Sequence, residues 1–251
     1  MNKIAKINIK KNNLIKLFGL LFVFVFITSA FSDDIIGIFS LSLVICFIFV
    51  LAKMYPSTRN FLFLGLAIRI FAIFLGTIFI LPDSGKDAVF FETRGFLWSQ
   101  DGFLRVLTDH YPGPNSVFLS WMYAILYSLF GRSLLMIQSM SLLFGMGSIF
   151  LGWLLAKKIW DDSKAIKVGW FLTLFPSLIL YSVLTMREVY ISFFFLVAIF
   201  GIVSWYRTPS IKWIFFAVFG FIVGSFFHGA MSIGALVFIF FIALNSFKKI
   251  F

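Results

Sequence analysis

Five charged side chains, Asp83, Lys86, Asp87, Glu92 and Arg94, fall within twelve residues of a chain that is only 12% charged. A carboxylate beside cations suits transfer chemistry on a phosphate-bearing substrate. The carboxylate takes the proton of an attacking hydroxyl, and a cation stabilises charge on the departing oxygen. If 87–98 is helical, Asp87 and Arg94 share a face to within about 20°, whereas Asp87 and Glu92 diverge by about 140°. Asp87 and Glu92 are therefore not a paired-carboxylate site on that helix. The same spacing also fits a solvated loop in which Asp83 and Asp87 cap the helix.

A second group lies in "LTMREVY". Arg187 offers a planar fork of donors that suits a phosphate, with Glu188 beside it. The alternative is a turn whose arginine snorkels to lipid headgroups. Lys86 and Arg94 are further phosphate candidates. His228, in "GSFFHGAMSIG", either contacts a substrate or is an interfacial side chain, and His110 beside Asp109 reads as loop material. Arg69, in "LAIRIFAIF", is expected to make a structural ion pair, because a charge within an apolar run must face a partner. Cys46 is the one cysteine and the two histidines are far apart, so no cysteine cluster or HExxH-type metal motif is present. No metal site is assigned, and use of a divalent ion stays open.

The elements that must position these residues follow from composition. The chain has 251 residues, 61% hydrophobic, with mean hydropathy +1.04. Soluble domains carry about 25% charged residues. Apolar runs recur at 14–31, 34–52, 60–81, 133–155, 166–184, 189–206, 211–227 and 229–247, each about the length that crosses a hydrocarbon core of about 30 Å. The expected fold is all-α, a polytopic helical membrane protein with about eight spans. Segment 116–131 is shorter and is expected to lie at the interface, within an outer loop over 82–132. The first run resembles a signal peptide in outline but is read as an uncleaved span.

The net charge of +11 reflects lysines and arginines gathered on one side rather than nucleic-acid binding. With the N-terminus inside, the inner side receives fifteen of the twenty-one basic residues, and the outer side five: Lys86, Arg94, Arg105, Arg132 and Arg187. Eight of the ten acids fall outside, five of them in loop 82–132. Both termini are then cytoplasmic.

From residue 60 onward the order of features becomes specific: "LAIRIFAIF", "DAVFFETRGFLW", "YPGPNSVFLSWMYAILYSLFGRSLLMIQ", a span ending "LLAKKIW", then "LFPSLILYSVLTMREVYISFFFLVAIF". This order resembles the N-terminal module of the C-superfamily (GT-C) glycosyltransferases, in particular bacterial relatives of protein O-mannosyltransferases and of the aminoarabinose transferase. Two spans over 1–58 precede the module of 59–251. Ala88 stands where the family carries a second loop acid. Such enzymes usually continue beyond the length present here.

The resemblance implies an inverting transfer of a sugar from a polyprenyl-phosphate donor at the outer, periplasmic face of a bacterial inner membrane. Asp87 matches the family's loop acid and is expected to act as the general base. Arg187, Lys86 and Arg94 are expected to bind the donor phosphate, with Glu92, Asp83, Glu188 and His228 in support. No cofactor is implied beyond the lipid-linked donor. The expected partners are that donor, membrane lipids and a possible partner membrane protein. A non-catalytic membrane subunit on the same scaffold is the alternative.

Overall fold

A computed structural model describes residues 33–247 of the protein. Helices α1 (Ile35–Met54), α2 (Arg59–Ile78), α3 (Lys86–Ser99), α4 (Phe103–Thr108), α5 (Phe118–Phe130), α6 (Leu134–Ile159), α7 (Asp162–Leu174), α8 (Pro176–Tyr181), α9 (Glu188–Arg207), α10 (Ile211–Phe227) and α11 (Ala230–Phe247) follow in order, with a 3₁₀ turn over Pro56–Thr58. No strand occurs among the described residues.

Among the described residues, four helices are long and apolar enough to cross a membrane: α1, α2 with its preceding 3₁₀ turn, α6 and α9. They match the runs 34–52, 60–81, 133–155 and 189–206. α10, and α11 over Ala230–Ile242, are apolar but shorter. The run 14–31 lies outside the described residues. Segment 116–131 forms α5, whose 13 residues reach about 20 Å at 1.5 Å per residue, less than the hydrocarbon thickness.

The run 166–184 is not one span. It breaks at Phe175–Pro176 into α7 and α8, then continues through non-helical, buried Val183, Leu184, Thr185 and Met186. Proline lacks the N–H that a continuing helix needs, and it drives its predecessor out of the helical region. Phe175 accordingly sits at φ −67°, ψ 114°.

α6 is the hub. Leu142, Met146, Ile149 and Trp153 on it are fully buried and pack with Leu41, Ile48, Phe61, Leu62 and Ile73 of α1 and α2. A second, aromatic core joins α3, α5, α9 and α10 through Phe91, Tyr123, Tyr127, Tyr190 and Phe227, with Tyr190 and Phe227 stacked at 5.0 Å. Here the phenylalanines pack against one another. α9 and α10 approach to backbone contact: a Cβ on Gly201 would lie 2.5 Å from the Ala217 nitrogen. Gly201→Leu is expected to push the two helices apart and cost about 1–3 kcal/mol, read as a lower unfolding temperature in detergent.

Contacts between the helix ends sort the charges. Asp34, at the start of α1, accepts hydrogen bonds from the Gly37 N–H (2.8 Å) and from the Ser133 hydroxyl (2.8 Å) at the start of α6. The starts of α3 and α9 meet at the same end, where the Thr185 hydroxyl donates to the Ala88 carbonyl at 2.9 Å. At the opposite end, Tyr55 packs on Trp153. There too Arg207 donates to the Ile159 carbonyl at 2.9 Å, and Lys158 lies over Trp213. Lys53, Arg59, Lys157, Lys158, Lys164, Lys167, Arg207 and Lys212 thus share one end of the bundle, with Asp161 and Asp162. Asp34, Asp83, Asp87, Glu92 and Glu188 share the other, as the charge pattern predicts.

Arg69 lies between the ends, fully buried. The expected ion pair is not there: among the described residues no carboxylate bridges it. Its Nη1 donates to the Gly65 carbonyl (3.1 Å) and the Thr173 carbonyl (3.2 Å), and its Nε to the Ser182 hydroxyl (3.0 Å). In an unbroken helix the Thr173 carbonyl would accept from residue 177. The break at Pro176 removes that donor and Arg69 replaces it, a cation on the negative end of α7.

Candidate functional site

The acid-bearing end is built on α3. Asp83, at φ +57°, holds the turn before it, a left-handed conformation that aspartate tolerates better than most residues. Its Oδ2 accepts from the Tyr181 hydroxyl at 3.0 Å, fastening the turn to α8. Asp83 is therefore engaged.

Asp87 is not engaged. It sits in the first turn of α3, exposed, with no hydrogen bond or ion pair among the described residues. Beside it, buried Ala88 packs on Leu184 and Met186 of the segment entering α9. One turn along α3, the Phe91 ring lies 6.0 Å from the Arg187 guanidinium. Asp87 and Arg187 thus occupy neighbouring parts of one junction, fixed by the Thr185–Ala88 bond and by Phe91.

Glu92 faces elsewhere, as the helical angle predicts. Its carboxylate takes two parallel bonds from Arg132, Nε to Oε1 at 2.9 Å and Nη2 to Oε2 at 2.8 Å, and a third from the Tyr127 hydroxyl at 3.1 Å. Arg132 also covers the Phe96 ring at 4.2 Å. The Tyr127 phenol is held well above its usual range, first by burial and then by Glu92. Arg132 in turn is held more firmly protonated, chiefly by its bond to Glu92. Gly131, at φ +85°, supplies the turn that ends α5 and aims Arg132 at α3. Glu92 thus ties α3 to α5 and to the start of α6. Arg132→Ala leaves a buried carboxylate half satisfied, and with Arg132 itself half exposed the expected loss is about 1–3 kcal/mol. Unfolding in detergent measures it, and Arg132→Lys should recover only part, since it cannot reproduce the fork.

The other predicted residues differ in their surroundings. Lys86 is exposed and has no carboxylate partner. Arg94 shares the Asp87 face but lies against Phe90 (4.4 Å) and Trp98 (5.7 Å). Arg187 has Glu188 at 3.7 Å, and Glu188 Oε2 is buried without a partner. His228 ends α10, exposed, its Nδ1 accepting from the Ala230 N–H at 3.3 Å. His110 pairs with Asp101 at 2.6 Å and stacks on Trp98. No group of three or more His, Cys, Asp or Glu side chains gathers among the described residues to hold a metal ion.

Sequence reasoning gave no role to Arg132, Tyr127, Thr185 or Tyr181. The one available signal was the helical spacing of Tyr123 and Tyr127, which puts both on the buried face of α5. What the end offers chemically is the free carboxylate of Asp87 at a helix start, with the Arg187 guanidinium at the neighbouring junction, over Phe91.

The fold defines an all-helical protein with four candidate membrane-crossing helices. Comparison with protein-family models, with curated proteins and with solved structures gives no match.

Proposed function

We propose that the protein is a membrane glycosyltransferase that moves a sugar from a polyprenyl-phosphate donor to an acceptor hydroxyl at its acid-bearing end. The observation that carries this reading is Asp87: the free carboxylate of α3, set at a helix start that packs on the segment bearing Arg187, at the end opposite Lys53 and Lys157. In the reaction, the acceptor O–H gives its proton to Asp87 while its oxygen attacks the anomeric carbon from the face opposite the phosphate. The bond from carbon to phosphate oxygen breaks, the configuration inverts, and the polyprenyl phosphate leaves with its charge held by Arg187, aided by Lys86 or Arg94. Glu92 acts as a strut and Asp83 as a clasp.

In this reading 59–251 form a GT-C-like module behind two N-terminal spans. The runs 14–31, 211–227 and 229–247 also cross, giving about eight passes with the α7–α8 pair as a broken one. The lysine-bearing end and both termini face the cytoplasm of a bacterial cell, and loop 82–132 faces the periplasm.

A second reading, a non-catalytic membrane subunit, draws on one observation: with Glu92 and Asp83 both engaged, Asp87 has no second free carboxylate on α3. Transfer assays in proteoliposomes with labelled polyprenyl-phosphate sugars and a cell-envelope acceptor extract separate the two. Labelled product supports the transferase. No turnover of any donor, with stable co-purification of another membrane protein, supports the subunit.

A further inference from the structure

At the lysine-bearing end, α1 and α2 line an open groove of about 430 Å³, within the range of about 300–1,000 Å³ typical of small-ligand sites. Its walls are apolar: Phe49, Val50, Pro56 and Phe63, with the Phe49 and Phe63 rings 4.7 Å apart. Its rim carries two cations, Lys53 from the last turn of α1 and Arg59 from the first residue of α2. Both are exposed and neither has a carboxylate partner. The described acids at this end are already taken, Asp162 by Lys157 at 2.8 Å and Asp161 by Lys164 at 3.3 Å. The other cations differ in kind: Lys158 and Lys212 lie on Trp213, and Arg207 is bound to the Ile159 carbonyl. Among the described residues at this end, Lys53 and Arg59 are the cations that line the apolar hollow.

We infer that this hollow binds one anionic phospholipid, its phosphodiester between Lys53 and Arg59 and an acyl chain along Phe49, Val50 and Phe63. Two uncompensated cations select a negative headgroup, and basic pockets between membrane helices recognise such lipids. Both flanking helices are long and apolar enough to cross a membrane, so the rim falls where headgroups lie. The N-terminal segment of the chain is a poor rival: residues 1–16 carry five lysines and no acid, and would be repelled by Lys53 and Arg59. The inference does not depend on the role of Asp87.

Native mass spectrometry of the full chain in neutral detergent tests it, with added phosphatidylglycerol, phosphatidylcholine of the same chains, or inorganic phosphate. One phosphatidylglycerol should be retained in preference to phosphatidylcholine and survive excess phosphate. Lys53→Gln with Arg59→Gln should weaken retention by roughly tenfold or more, whereas Lys53→Arg with Arg59→Lys should preserve it. Lys167→Gln with Lys212→Gln, the same loss of charge at the same end, should leave it unchanged. Equal retention of phosphatidylcholine, displacement by phosphate, or an equal loss in the Lys167/Lys212 pair overturns the assignment. So does a cross-link from Val50→Cys to segment 14–31 that added phosphatidylglycerol does not reduce.

Discussion

Arg69→Leu is expected to destabilise the protein by about 2–4 kcal/mol. Three hydrogen bonds leave with the guanidinium. Bonds from charged donors contribute about 1.5–3 kcal/mol each in soluble proteins, but interhelical bonds in membranes average only about 0.6 kcal/mol, because the unfolded chain finds partners too. What lifts Arg69 above that average is the Thr173 carbonyl. The break at Pro176 leaves it no helical donor, so without Arg69 a buried acceptor is orphaned and a cavity opens beside Ser182. Arg69→Lys keeps a cation but loses the fork that reaches Gly65, Thr173 and Ser182 together, and should fall between wild type and Arg69→Leu. Thermal or denaturant unfolding in detergent reads the series. A variant Arg69→Leu as stable as wild type would show that the helix break holds itself.

The same residue marks the limit of sequence reading. Hydropathy locates α1, α2, α6 and α9 well, because each crossing-length helix is fixed by the transfer of its own apolar residues into hydrocarbon. Counting lysines assigns loop 82–132 to the end opposite Lys53 and Lys157, and the contacts of Asp34, Ala88 and Tyr55 agree. Run 166–184 fails because a hydropathy window is blind to backbone direction: Pro176 outweighs the apolar side chains around it. Arg69 was expected to need a carboxylate because the carbonyl freed by that break was invisible.

The site divides in the same way. Helical spacing within α3 puts Glu92 away from Asp87, since both belong to one regular element. The partners that make Glu92 a strut, Arg132 and Tyr127, lie 40 and 35 residues along the chain. No local pattern carries such a pairing, only the packing of α5 on α3. Likewise, Asp83 meets Tyr181 across 98 residues.

Asp87→Asn is the second large effect, and it acts on rate alone. The substitution keeps the shape of the side chain and removes only its capacity to take a proton. An exposed side chain with no partner contributes little to folding, so the unfolding midpoint should shift by less than about 0.5 kcal/mol. A general base contributes about 10²–10⁴-fold to rate, equivalent to roughly 3–5 kcal/mol of barrier. Glu92→Gln should show the converse: the charge-assisted fork to Arg132 weakens and stability drops, while transfer by the protein that remains folded changes little. This opposition separates a catalytic acid from a structural one on the same helix.

The most direct measurement is therefore the turnover number for labelled polyprenyl-phosphate sugar in proteoliposomes, for wild type, Asp87→Asn and Glu92→Gln at matched folded protein. Turnover that falls at least about a hundredfold in Asp87→Asn and stays near wild type in Glu92→Gln is the predicted result. Turnover unchanged in Asp87→Asn would contradict the assignment of Asp87 as the base.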